Sequence, residues 1–294
     1  MNYKIDILIN EKCLIAECPS YDKKTNNLYW VDIFKKSIYK YNFLTKKTIK
    51  RNVNKYVSYI IPSVDGSVIV GLQDGVYKYN FEDNTLLLLG KPQKYDPLTY
   101  RFNDGKCDAE GRLWTGTTAF FEETNNSCLY KVNNLGNFEQ MLNGINVSNG
   151  LGWSPDNKFM YYIDSGKKLI YQFNYNLQEG KLSEKKVIIN FESEDANPDG
   201  MTVDADGMLW ICHWGGYKIS RWDPYKKEKI GEIILPVKQI TCPTFVGEDF
   251  SKMVITTARY GCSREELNSN PDAGSIFILD IAGVSGIEPN LANM

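Results

Sequence analysis

The chain has 294 residues, and its 34 basic and 36 acidic side chains give a formal net charge of −2. This near balance argues against a polyanionic partner, so we expect no nucleic-acid binding. No apolar run reaches the roughly 18 residues that cross a membrane, and residues 1–9 lack the apolar core of a signal peptide. We therefore expect no membrane association.

The cysteines indicate the compartment. Seven are scattered along the chain, an odd number without a Cys-x-x-Cys pair. This pattern favours free thiols in a reducing environment over a disulfide framework. We predict a cytoplasmic protein.

Turn-then-strand units recur from the N-terminus to the C-terminus. Each has a turn rich in Asp, Asn and Gly, then an apolar anchor residue in a strand, and most continue with a second strand of alternating apolar and polar residues. The anchors are Leu28, Val68, Leu113, Met160, Leu209 and Met253. The second strands are expected at residues 37–41, 75–79, 128–132, 169–173, 218–222 and 275–279.

The spacing of the anchors predicts the architecture. Consecutive anchors are 40 to 49 residues apart, which is typical of a β-propeller with several short strands per blade. We predict an all-β fold, a six-bladed β-propeller of four-stranded antiparallel blades, forming a single domain over residues 1–294. The N-terminal strand Tyr3–Ile9 is expected to close the ring by joining the last blade, which removes exposed edges. An open β-solenoid is the alternative, although the period is too long for most of them.

One repeat position carries an oxygen-bearing side chain in four of the six copies. It lies ten or eleven residues before the anchor and holds Glu17, Asn103, Asn149 and Asp199, with Ser58 and Cys242 at or near it in the other two copies. Equivalent positions of a propeller meet near one mouth of the central channel. Two carboxylates and two amides there suit a hard divalent cation, whereas the carboxylates alone would repel each other. A single Asn or Asp before Gly would be an ordinary turn residue.

Glycines follow these polar residues. Gly105, Gly150 and Gly200 are expected to let the backbone approach the channel axis closely or to adopt a positive φ. The only histidine, His213, is expected to be a core or inter-blade hydrogen-bonding residue. The segment from Asp204 to Gly207 lacks the remaining ligands of a calcium loop and is expected to be a hairpin turn.

Four motifs carry a family resemblance. They are Glu17-Cys18-Pro19, Arg101-Phe102-Asn103-Asp104-Gly105-Lys106, Ser148-Asn149-Gly150-Leu151 and Pro198-Asp199-Gly200-Met201. In these motifs, and from about residue 11 to 287, the chain resembles the senescence-marker-protein/gluconolactonase/luciferin-regenerating-enzyme family. The resemblance implies a six-bladed propeller with one divalent cation in the channel mouth, and hydrolysis of sugar lactones.

The resemblance also divides the site residues by role. It implies that Glu17, Asn149 and Asp199 are the metal ligands, and that Arg101 and Asn103 contact substrate. The family has an acidic substrate contact after the Gly-Thr strand at residues 116–117. Here Phe120 and Phe121 intervene before Glu122 and Glu123, so either glutamate could make this contact and the two phenylalanines could narrow the pocket.

Together these inferences predict a divalent-metal-dependent lactonase that opens a sugar lactone such as gluconolactone. Asp199 is the candidate catalytic base, and Arg101 would hold sugar hydroxyls or steady negative charge. All-oxygen ligation favours Ca²⁺, with Mg²⁺, Mn²⁺, Zn²⁺ or Fe²⁺ as alternatives. We expect a small-molecule substrate and a monomer or weak homo-oligomer. The alternatives are a hydrolase of organophosphates or other activated esters on the same metal site, and a non-catalytic calcium-binding regulatory or protein-interaction propeller.

Overall fold

The computed structural model describes residues 1–120 and 125–294. These residues form 24 strands, a 3₁₀ turn at Ser165–Lys167 and one short helix, α1, at Arg264–Ser269. The first sheet contains β2 (Ala16–Asp22), β3 (Asn27–Asp32), β4 (Ser37–Asn42) and β5 (Lys47–Asn52). The second contains β6 (Val57–Pro62), β7 (Val68–Leu72), β8 (Gly75–Tyr79) and β9 (Leu86–Gly90).

Two further sheets repeat this plan, and a fifth is larger. The third contains β10 (Tyr100–Cys107), β11 (Leu113–Ala119), β12 (Ser127–Val132) and β13 (Phe138–Ile145). The fourth contains β14 (Ser148–Trp153), β15 (Phe159–Asp164), β16 (Leu169–Asn176) and β17 (Lys181–Asn190). The fifth contains β18 (Asn197–Val203), β19 (Leu209–Trp214), β20 (Lys218–Asp223), β21 (Glu228–Ile234), β22 (Gln239–Val246), β23 (Lys252–Ala258), β24 (Ile276–Ile281) and β1 (Tyr3–Ile9).

The eight-stranded sheet departs from the predicted set of separate four-stranded sheets. Strands β18–β21 form one antiparallel unit, and β22–β24 with β1 form another. One residue pair, Trp214 opposite Gln239, connects the two units through β19 and β22. The sequence could not predict this join, because a single bridge pair leaves no pattern of its own.

The N-terminal strand closes the array, as predicted. β1 pairs antiparallel with β24, from Tyr3 opposite Ile281 to Ile9 opposite Ile276. The last unit is therefore built from both ends of the chain, and β24 has no exposed edge. None of the helices among the described residues is long and apolar enough to cross a membrane.

The first strand of each unit lies innermost. Strands β2, β6, β10, β14, β18 and β22 contact one another in cyclic order, with β22 returning to β2. The fold is therefore an all-β propeller around a central channel. Each anchor lies on the next strand outward and is almost fully buried, with exposures of 0 to 1%. The apolar residues of the alternating pattern are therefore the ones that are buried between neighbouring sheets.

Each innermost strand has a register irregularity close to the predicted polar position. The pairing is interrupted between Glu17 and Ser20, between Phe102 and Gly105, and between Ser148 and Leu151. It is also interrupted between Pro198 and Met201, between Ile240 and Pro243, and between Val57 and Tyr59. A β-bulge re-aims the side chains beside it, so all six strands bend near one end of the channel.

The glycines serve close packing. A Cβ atom on Gly200 would lie 2.6 Å from Cys242 Cβ, and one on Gly150 would lie 2.7 Å from Met201 Cβ. Both glycines lie where two neighbouring inner strands pack closely, so the predicted close approach of the backbone is confirmed. The alternative of a positive φ is wrong for Gly105, Gly150 and Gly200, since none of the three has one; beside the site, Cys18 has a left-handed φ of 45°.

Candidate metal and substrate site

A cavity of about 280 Å³ lies over the start of the inner strands. Five of the predicted site residues line it: Glu17, Arg101, Asn103, Asn149 and Asp199. They come from four strands, β2, β10, β14 and β18, so residues up to 182 positions apart in sequence meet at one place. The predicted substrate contacts Glu122 and Glu123, with Phe121, lie outside the described residues.

Two buried carboxylates face this cavity. Glu17 is 9% exposed and Asp199 is 6% exposed. Burial raises the pKa of Glu17 well above its ordinary value, and the negative charge of Asp199 raises it further. Burial likewise raises the pKa of Asp199, with the charge of Asp104 as the next cause. The ionised forms of both side chains therefore need a nearby positive charge.

Amide groups complete the oxygen-rich wall. The Asn149 side chain hydrogen-bonds to Asp199, which favours the ionised carboxylate. Asn103 Nδ2 donates to the Ser148 carbonyl at 2.7 Å, and Asn103 Oδ1 accepts from Arg101 Nη1 at 2.6 Å. The Asn103 oxygen is thus directed at the guanidinium, while Asn149 adjoins the carboxylate.

Arg101 is the one cationic side chain among the described residues that line the cavity. Its Nη1 also donates to the Phe102 carbonyl at 3.0 Å, so two acceptors fix the guanidinium plane. Burial lowers the pKa of Arg101, and the charge of Glu17 opposes this shift. A fixed cation beside two carboxylates can bind an anionic or strongly polar substrate group.

The donor set suits a divalent cation that binds oxygen. Across residues 1–120 and 125–294, no group of three or more His, Cys, Asp and Glu side chains is arranged to hold a metal ion. The carboxylates of Glu17 and Asp199 would need an amide oxygen such as that of Asn149 to complete a three-ligand set. Two buried carboxylates, both with a raised pKa and one raised partly by the charge of the other, fit such an ion, because its charge would stabilise both.

The other two repeats do not place their side chains at the cavity. Ser58 Oγ donates to the Phe102 carbonyl at 2.5 Å and so connects β6 with β10. Cys242 is completely buried and packs against Gly200. It is therefore a small core residue rather than an accessible thiol. All seven cysteines are free thiols, as the sequence predicted.

His213 is buried within β19, where Nε2 and Ser220 Oγ are 2.6 Å apart. It is not among the described residues that line the cavity. The expected structural role is therefore confirmed. The segment from Asp204 to Gly207 is a turn, in which Asp204 Oδ1 accepts from the Asp206 and Met208 amides.

Aromatic side chains line the cavity mouth, and sequence reasoning found one of them. The family motif points to Phe120 but not to Phe34, Trp214 or Tyr260. The Phe34 and Tyr260 rings meet edge to face at 4.9 Å. All four lie five to seven residues after an anchor, at or just past the end of the strand that carries the anchor. The repeat spacing that located the oxygens could have located this second ring of positions as well.

Comparison with known proteins places the chain in one family. Residues 15–259 match the family described as the SMP-30/Gluconolactonase/LRE-like region. The chain is 34% identical over 268 residues to a Bacillus subtilis (strain 168) protein named "Putative sugar lactone lactonase YvrE", covering 90% of this chain and 91% of that protein. It is also 34% identical over 293 residues to regucalcin of Bos taurus, covering 97% of each chain.

A solved structure agrees with the fold. The crystal structure of a calcium-binding protein, regucalcin, from Agrobacterium tumefaciens matches with a TM-score of 0.94 and 24% identity, covering 99% of this chain and 98% of that one. The protein belongs to the SMP-30/gluconolactonase/LRE-like family.

Proposed function

We propose that the protein is a divalent-metal-dependent hydrolase that opens a sugar lactone to the free aldonic acid. The observation that carries the proposal is the convergence of Glu17, Asn149, Asp199, Arg101 and Asn103 on one cavity. A relative with 34% identity carries the name of a sugar lactone lactonase, which supports lactones as the substrate class. Gluconolactone is the first candidate.

We also propose that the fold has six blades in a single domain. The eight-stranded sheet divides at the Trp214–Gln239 pair into two four-stranded units, which would make six blades in one domain. Six inner strands in cyclic contact support this number. The residues that line the cavity then come from neighbouring blades.

Glu17, Asn149 and Asp199 would hold the cation. Their all-oxygen chemistry favours Ca²⁺, while Mg²⁺, Mn²⁺, Zn²⁺ and Fe²⁺ are alternatives for a site with three protein ligands. The name regucalcin in related proteins agrees with calcium. Once bound, the cation would polarise the lactone carbonyl and lower the pKa of a neighbouring water.

The chain's own residues would divide the remaining work. Asp199 would accept a proton from the attacking water and later return it to the ring oxygen that leaves. Arg101 would donate hydrogen bonds to the substrate and stabilise the charge that develops on its carbonyl oxygen. Asn103 would position Arg101, since its oxygen lies 2.6 Å from Arg101 Nη1. Glu122 or Glu123 would add a sugar-hydroxyl contact.

A pH-drop assay on the purified protein tests this proposal. Each lactone (glucono-, galactono-, xylono- and arabinono-) is offered after EDTA stripping, with and without Ca²⁺, Mg²⁺, Mn²⁺, Zn²⁺ or Fe²⁺. We expect acid release from at least one lactone only when a divalent ion is restored. No lactone turnover with any of the ions would overturn the proposed function.

A second candidate substrate class follows from the aromatic mouth. Phe34, Phe120, Trp214 and Tyr260 present apolar surface beside the polar floor. Such a cavity would also accept an activated ester or an organophosphate, hydrolysed by the same residues. Higher kcat/KM for diisopropyl fluorophosphate or a nitrophenyl ester than for every sugar lactone would favour this alternative.

A further inference from the structure

We propose that the outer edge of β9 pairs antiparallel with β9 of a second copy of the chain, so that the protein forms a weak two-fold dimer. Strand β9 consists of Leu86, Leu87, Leu88, Leu89 and Gly90. It ends its sheet, and within the described chain no strand pairs with its outer side. Leu86, Leu87 and Leu88 are 38%, 61% and 50% exposed.

The other outer strands show what is unusual about β9. Each carries at least one charged side chain: Lys50 on β5, Glu139 on β13, Lys185 on β17, Glu232 on β21 and Lys4 on β1. Charges on edge strands are the usual protection against edge-to-edge pairing, and lysine is the commonest of them. β9 consists of leucine and glycine alone, and three consecutive leucines are solvent-exposed.

The flanking charges favour a second copy, in antiparallel orientation, as the partner. Exposed acidic residues Glu82 and Asp83 precede β9, and exposed Lys91 and Lys94 follow it. In an antiparallel pair, the acidic flank of one copy meets the basic flank of the other at both ends. When Leu87 lies opposite its own copy, Leu86 lies opposite Leu88, and the turn that holds Asp83 in one copy lies near the segment after β9 that holds Lys91 in the other. In such a pair, leucine meets leucine along β9, and the acidic residues before β9 of one copy lie near the basic residues after β9 of the other.

The backbone of the second copy would also form hydrogen bonds with the outer edge of β9. Every strand edge presents N–H and C=O groups that can bond to another strand. β9 is short, so this pairing gives weak association rather than an obligate interface. Dimers should therefore form in a concentration-dependent way.

Sedimentation equilibrium of the full-length protein over a range of concentrations tests the proposal. We compare the wild type with Leu87→Lys and with a control, Val187→Lys, at a 47% exposed position on the outer strand β17. Leu87→Lys places two like charges opposite each other on the two-fold axis. It should raise the dimer dissociation constant by about tenfold or more, whereas Val187→Lys should leave it unchanged.

Charge reversal identifies the orientation. Asp83→Lys and Lys91→Asp should each weaken dimerisation, and the double variant Asp83→Lys/Lys91→Asp should restore it. Thermal unfolding of every variant checks that it is folded. A protein that stays monomeric at every concentration overturns the proposal. So does a dimer that Leu87→Lys weakens no more than Val187→Lys does, or one that the double reversal fails to restore.

Discussion

The two roles proposed for Arg101, substrate binding and charge stabilisation, depend on how its guanidinium is held. Its guanidinium is held by the Asn103 oxygen and the Phe102 carbonyl, and it adjoins the buried carboxylates of Glu17 and Asp199. The planar guanidinium can bond to these acceptors and to substrate at once. A lysine ammonium has no such fork and places its charge differently.

We therefore predict that Arg101→Lys lowers kcat/KM for the best lactone by about 10- to 100-fold. Metal affinity should stay close to that of the wild type, because Arg101 is not a proposed ligand. Steady-state kinetics and calorimetric titration with the metal check both parts. Unchanged kcat/KM in Arg101→Lys would show that the guanidinium takes no part in the reaction.

His213 allows a clean test of pH-dependent stability, since it is the only histidine in the chain. Burial lowers its pKa from the ordinary value of 6.5 to about 4, and its Nδ1 has no hydrogen-bond partner among the described residues. Between these two pH values the unfolded chain binds a proton that the native protein does not. The contribution of neutral His213 to the free energy of unfolding is therefore complete above about pH 6.5. It is lost as the pH falls to about 4.

The expected loss is about 3 kcal/mol of unfolding free energy across that window, on the order of 1.4 kcal/mol per pH unit. Urea unfolding at several pH values between 4 and 7 measures it. In His213→Gln the unfolding free energy should fall less between pH 7 and pH 4, by about this 3 kcal/mol. This difference does not depend on the absolute stability of the variant. Equal slopes in the two proteins would contradict the buried, neutral histidine.

Among the elements, the regular strands could be predicted from the sequence, whereas the irregularities of the inner strands could not. The repeat predicted the second strand at residues 75–79, and the structure has Gly75–Tyr79. Alternating side chains report which face is buried, so such strands can be predicted from sequence. The bulges beside Asn103, Asn149 and Asp199 could not, because a bulge shifts pairing by a residue without changing composition.

The spacing between neighbouring inner strands can be tested at Gly200. A methyl group there would meet Cys242 at its Sγ, Cβ and Cα, the nearest at 2.5 Å, and the Cα cannot move away as a side chain can. Gly200→Ala should destabilise the fold by about 1 to 3 kcal/mol. At Gly152 the same methyl group would meet only the Val203 Cγ2 atom, at 3.0 Å.

Gly152→Ala is therefore the matched control and should lose less stability than Gly200→Ala. Denaturant unfolding of the two variants beside the wild type gives the comparison. Equal stability of Gly200→Ala and wild type would mean that β18 and β22 are not packed as closely as the structure has them.

At the scale of the whole molecule, the N-terminal strand joins the two ends of the chain. The pairing of β1 with β24 completes the last four-stranded unit, and Ile5 and Ile9 pack against the buried core beneath it. Removing residues 1–9 would expose the β24 edge and part of that core. We expect the melting temperature of the truncated chain to fall by more than about 5 °C, with concentration-dependent aggregation.

Lys4→Ser is the control for this truncation, because the Lys4 side chain is 75% exposed and its ion-pair partner Asp6 is 54% exposed. Differential scanning calorimetry and light scattering compare the three proteins. If the truncated chain melts at the wild-type temperature without aggregating, closure by β1 contributes nothing to stability.

The whole-molecule view also separates what the sequence could predict about the site from what it could not. The equal repeat positions of Glu17 and Asp199 predict that these two side chains lie together. The aromatic mouth was mostly missed, because Phe34, Trp214 and Tyr260 share no residue type or motif and are related only by their distance from the anchors. Strands β19 and β22 are joined in one sheet by one pair of residues, Trp214 opposite Gln239, which no repeat or motif marks in the sequence.

The central claim is that Glu17, Asn149 and Asp199 hold a divalent cation on which lactone hydrolysis depends. The most direct test measures metal content and lactone turnover in the same samples of wild type, Glu17→Gln and Asp199→Asn, with Ser58→Ala as a control from the same repeat position. We predict that Glu17→Gln loses both metal and turnover. Asp199→Asn should lose turnover by at least about 100-fold even when saturated with metal, and Ser58→Ala should retain both. Near-normal turnover in Asp199→Asn, or in metal-free wild type, would contradict the account.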